Sequence, residues 1–150
     1  MRPIPRRTFL LLLLATPACG PAGQGLHGVY AVEGTVHYSI QDVGHSSFQV
    51  SDTFRVSEGT VSELVLTDAA GRCFLLADAE GEGAVLRPGA SCTYAGDNGL
   101  TLTLTLTRGT LSLSGGSGRF DMAGTVTATG RGRMYPGSFF QNATLTRVGP

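Results

Sequence analysis

The 150 residues contain no lysine and no tryptophan, and only three histidines and three cysteines. All basic side chains are arginines, and past the first few residues they are scattered, so no basic stripe marks a nucleic-acid surface. We read the missing lysine as a compositional bias, not a binding signal. Without tryptophan the chain lacks the broadest ring for stacking a sugar. His27, His37 and His45 have no second ligand at a fixed spacing, which argues against a metal site. GxSxG, HExxH and a phosphate-cradling glycine loop are all missing. No converging set of catalytic groups can be named, so the expectation is a non-enzymatic protein with no cofactor and no nucleic-acid partner. Long apolar runs are scarce as well. The single one, "TFLLLLLA" (Thr8 to Ala15), falls well short of the ~20 residues that span a bilayer.

That run has a specific setting. "MRPIPRR" before it carries three arginines and no acid, and small residues with a proline follow. A charged start, a short apolar core and a small-residue zone describe an export signal, assigned to residues 1–18. "TPAC" (Thr16 to Cys19) resembles the bacterial lipobox, although Thr16 stands where leucine is usual. The resemblance implies cleavage after Ala18 and acylation of Cys19. Ordinary cleavage near Ala18 or Ala22 would leave Cys19 incidental. "RRTFL" (Arg6 to Leu10) resembles the core of a twin-arginine export signal. The expected address is therefore a bacterial cell envelope, at the outer membrane, with the membrane reached through the lipid. Residues 19–26, "CGPAGQGL", read as a flexible linker, and residues 27–150 as a single domain.

Without its signal the chain has 132 residues, eight arginines and eleven acids, for a formal charge of −3. That length supports one domain with a real core. With Cys19 assigned to lipid, Cys73 and Cys92 remain. Export places them in an oxidising compartment, where a disulfide between them is expected. The alternative is two buried thiols. "CFLLAD" and "AVLRPGASCTY" read as two arms of a hairpin turning at "AEGEG", and a bulge at "RPGA" would bring Cys92 level with Cys73. Closing such a loop stabilises a fold by about 3 kcal/mol in the chain-entropy model.

From Leu26 onward the hydrophobic period is two. "LTLTLTLT" sends Leu100, Leu102, Leu104 and Leu106 to one face and four threonines to the other. "TLSLS" repeats this with Leu111 and Leu113 after a turn expected at Arg108-Gly109. Tyr30, Val32, Val36, Tyr38 and Ile40 share a face, as do Phe48, Val50, Phe54 and Val56, and Phe120, Met122, Val126 and Ala128. Alternation of this kind marks half-buried antiparallel strands, and glycine-rich turns separate the runs. The expected fold is all-β, an antiparallel meander of eight to ten strands closing into a lipocalin-like up-and-down β-barrel. A β-sandwich is the alternative. Closure would remove edge strands, a hazard in a Leu/Thr-rich sheet.

Asp52 breaks the pattern. It falls in register with Phe48, Val50, Phe54 and Val56, so strict alternation buries its carboxylate. Such a group needs an arginine, a hydrogen-bond donor or a local bulge that turns it outward. Tyr30, Tyr38, Asp52, Phe54 and Phe120 are the candidate lining of the barrel interior. "SFFQ" (Ser138 to Gln141) cannot place both phenylalanines on one face, so one of Phe139 and Phe140 is exposed or covered by a neighbour.

The stretch "CFLLADAEGEGAVLRPGASCTY", followed by "LTLTLTLTRGTLSLSG", "MAGTVTATG" and "ATLTRV", resembles small uncharacterised β-rich lipoproteins of myxobacterial-type genomes. The resemblance implies an envelope location and a β-rich fold, and no activity. The expected function is a tethered monomeric domain that binds a small apolar ligand or an envelope protein. A structural or surface-interaction lipoprotein is the alternative, and a barrel-type inhibitor or hydrolase comes last.

Overall fold

The computed structural model describes residues 22–96 and 99–150. Ala18 and Cys19, the expected cleavage and acylation positions, lie outside the described residues. Among the described residues nine strands form one antiparallel sheet, and there is no α-helix. The strands are β1 (Gly28–Ile40), β2 (Gly44–Glu58), β3 (Leu64–Asp68), β4 (Phe74–Glu80), β5 (Gly83–Leu86), β6 (Ser91–Ala95), β7 (Thr101–Ser114), β8 (Ser117–Gly130) and β9 (Arg133–Gly149). Their order is β5-β4-β3-β2-β1-β9-β8-β7-β6, and β5 pairs additionally with β7. One edge of β7 therefore takes two partners in succession, β6 along Thr101–Thr105 and β5 along Thr110–Ser112.

Period-two patterning explains this outcome, because alternate residues of a strand point to opposite faces. Leu102, Leu104 and Leu106 are buried while Thr101 and Thr107 are exposed. Arg108-Gly109 is not the expected turn, for β7 runs through it unbroken. Its register against β8 shifts between Leu106 and Arg108. The extra residue moves the buried set from even to odd numbers, and Leu111 becomes the next core residue. Gly109 faces inward at that bulge, where a Cβ would stand 2.6 Å from Leu86 Cδ1.

The apolar face packs into one cluster drawing on all nine strands. Phe54 of β2 and Phe120 of β8 meet with ring centroids 5.7 Å apart. Tyr30, Val32, Leu66, Leu111 and Leu145 surround them, and the space between these side chains admits no water molecule. Leu26, expected in the linker, is a core residue at 5% exposure. Gln24–Leu26 forms a 3-10 turn, and the Tyr30 hydroxyl donates to the Leu26 carbonyl at 2.8 Å. Leu26 therefore belongs to the packed core although it lies ahead of the expected domain boundary at residue 27.

β4 and β5 form a tight hairpin with Glu80 opposite Gly83. Where the sequence suggested a bulge within one strand, Arg87–Ala90 breaks the strand into β5 and β6. Proline lacks the ladder donor, and Gly89 adopts a positive φ of 96°. Beyond the break Cys92 lies opposite Cys73, with Cα atoms 4.5 Å apart at disulfide distance.

Candidate functional site: the gap between β2 and β6

β2 is long because its partner β1 is long, and their ladder runs from Gly44↔Ile40 to Val56↔Gly28. β3 is short and reaches only Phe54–Glu58 on the other edge of β2. β6 pairs with β7 and approaches β4 at Cys73↔Cys92, where the Thr93 N–H donates to the Arg72 carbonyl at 3.4 Å. Past these points no ladder joins the upper half of β2 to β6 among the described residues. The β3–β4 turn forms the foot of this gap.

A polar cluster occupies the foot. In "DAAGR", Gly71 takes a φ of +67° and its N–H donates to the Asp68 carbonyl at 3.1 Å. Asp68 Oδ1 accepts from the Cys73 N–H at 2.8 Å, and Asp68 Oδ2 accepts from Arg72 Nε at 3.2 Å. A short carboxylate bonding its own turn is the chemistry that favours Asp there. Arg72 Nη2 donates in turn to Asp52 Oδ2, and Asp52 Oδ1 accepts from the Thr53 N–H at 2.7 Å. The Asp68 and Asp52 side chains are 1% and 11% exposed, against 41% for Arg72. Asp52 thus keeps its inward register with no bulge in β2, and an arginine compensates its charge.

Tyr94 of β6 completes the cluster. The Arg72 guanidinium lies 5.3 Å from its ring centroid, and its hydroxyl is 3.4 Å from Cys73 Sγ. Burial pushes the Tyr94 pKa up to about 12, with the positive charge of Arg72 opposing the shift and Asp68 and Asp52 adding to it. Hydrogen bonding to Asp68 is the main cause of a raised Arg72 pKa. Both carboxylates are engaged and the phenol holds its proton, so the cluster clamps β2, the turn and β6 together. Above it, Phe48 bridges Tyr94 and Tyr38 at centroid distances of 5.3 and 6.2 Å.

Of the expected lining residues, Tyr30, Phe54 and Phe120 pack against one another in the core. Phe54 and Phe120 fill the centre of the core, and Tyr38 is half-buried at the β1–β2 end. Tyr30 pairs across from Phe54 and packs beside it, and Arg147 Nη2 donates to its hydroxyl at 2.6 Å. Phe139 is buried, whereas Phe140 is exposed and stacks on His37 at 4.7 Å. Among the described residues no three His, Cys, Asp or Glu side chains converge as a metal centre requires.

Sequence reasoning overlooked Asp68, Arg72, Tyr94 and Gln141. Asp68 was detectable, for it shares the parity of Leu64 and Leu66 just as Asp52 shares that of Phe54. Two inward carboxylates near one turn arginine were a signal. Gln141 shares the parity of Phe139 and Ala143. It is 1% exposed, and its Oε1 has no hydrogen-bond donor among the described residues. Comparison of the chain with family models, curated proteins and solved structures finds no match.

Proposed function

We propose that this chain is a lipid-tethered, non-enzymatic domain of the bacterial cell envelope whose outer surface and strand edges bind a protein partner. The observation that carries this reading is the packed interior. A chamber for a drug-sized ligand measures about 300–1,000 Å³, whereas the centre of this core has no room for a water molecule. A ligand held at the centre of the core is thereby disfavoured, and the reading places recognition on the outside.

The same reading takes the sheet to be a lipocalin-like up-and-down barrel. The β5–β7 ladder supports closure, with β5 and β6 together filling one place in the ring. The hairpins β1–β2, β3–β4, β7–β8 and β8–β9 also favour a meander over a sandwich. Acylation at Cys19 would leave few residues before Gly23, each spanning at most about 3.6 Å, so the domain would stand close to the lipid surface.

Titration of the purified chain with a fluorescent long-chain fatty acid tests the packed interior. No saturable one-to-one binding is expected. Stoichiometric uptake that protects the probe from water would contradict the proposal.

A further inference from the structure

The unpaired edge of β2 carries an inference that rests on the reading that the partner is a protein. The Thr53 carbonyl accepts from the Ala69 N–H at 2.9 Å, on the β3 side of β2. Since backbone groups alternate sides along a strand, the N–H and C=O groups of Ser51, Gln49, Ser47 and His45 point the same way. Beyond Thr53 no strand covers that side among the described residues. All four residues are exposed, and the edge runs for roughly 20 Å at the usual strand rise.

Natural sheets blunt an open edge with lysine, proline, inward charges or a bulge. From Val43 to Ser51 this edge has no formal charge and no proline, and its ladder with β1 shows no bulge. The only inward charge, Asp52, stands at the foot and is neutralised by Arg72. On the inner side the half-buried Phe48 and Tyr94 rings extend the apolar core into the gap. A row of backbone donors and acceptors repeating every second residue, beside an aromatic floor, matches one kind of occupant.

We propose that the gap between β2 and β6 is a strand-addition site for an extended segment of a partner protein. The segment pairs with His45–Ser51, places apolar side chains at alternate positions over Phe48 and Tyr94, and turns small or polar ones outward beside Ser47 and Gln49. Main-chain bonds supply affinity and the alternating side chains supply selectivity, as in other strand-addition complexes. A second copy is the poorer fit on the anchored reading. Antiparallel pairing of two β2 edges points the Gly23 ends in opposite directions, and linkers of a few residues cannot bring both back to one membrane.

Selection of a phage-displayed library of random linear octapeptides on the purified mature chain tests the site. Enriched peptides are expected to alternate apolar and polar residues and to slow amide hydrogen exchange at Ser47, Gln49 and Ser51. Gln49→Pro deletes one edge-facing donor and should weaken binding about tenfold, the scale of one hydrogen bond. Should that variant fold poorly, exchange protection in the unaltered chain decides the matter. Failure to enrich any peptide overturns the proposal, as does binding without protection at those amides. A dimer whose interface protects them assigns the edge to a second copy and overturns it too. None of these outcomes touches the fatty-acid test, so loss of the strand site and loss of the surface-binding reading remain separable.

Discussion

Tyr94 links the gap to solution pH. Its phenol titrates near 12 in the fold and near 10 in an unfolded chain. Between those values the folded state holds a proton that the unfolded state has released, so the tyrosine's contribution is complete below about pH 10 and is lost as pH rises toward 12. Stability should therefore fall across that window, and Tyr94→Phe should flatten the fall. Denaturant midpoints measured at several alkaline pH values check this. A second prediction concerns Gln141, whose Oε1 is buried without a donor. Gln141→Met keeps the volume and removes the desolvated amide, so it should raise stability by about 1 kcal/mol. An unchanged or lower urea midpoint would contradict it. Asp52 was legible as an anomaly because strand parity is a strict rule. Its partner was not, since Arg72 lies 20 residues away in a turn and only the fold brings the two together.

At the scale of elements, the strand pattern was the most legible part of the chain. Leucine and threonine alternate so regularly that the faces of β7 can be read directly, and the all-β assignment follows from that. The β7 bulge escaped because Arg-Gly has the composition of a turn, and only cross-strand register distinguishes a turn from a bulge. The break at Arg87–Ala90 escaped for a related reason, since proline and glycine mark an interruption without stating its length. Gly124 tests how closely β7 and β8 must approach. A Cβ there would collide with the Thr105 carbonyl and stand 2.9 Å from Phe139 Cε1. Gly124→Ala should cost about 1–3 kcal/mol by overpacking, read as a lowered urea midpoint with an unchanged slope. The disulfide closes a loop across the broken strand, with a sequence separation of 19. Cys73→Ser with Cys92→Ser should cost about 3 kcal/mol and should speed amide exchange in β6 more than in β8.

For the whole molecule, the elements combine into a packed body in which, among the described residues, no strand pairs with the upper half of β2 on its β3 side. Nothing in residue composition showed whether the inward aromatics would line a chamber or fill it, because Tyr30, Phe54 and Phe120 suit either arrangement. The difference lies in how far the facing strands stand apart, which is a property of the assembled sheet. The proposed role rests on two halves, a packed interior and an acyl anchor. Native intact-mass measurement of the chain purified from its own membranes tests both halves at once. The expected species begins at Cys19 and carries acyl chains but no small-molecule guest. A mass showing unmodified Cys19, or one retained apolar molecule per chain, would contradict it.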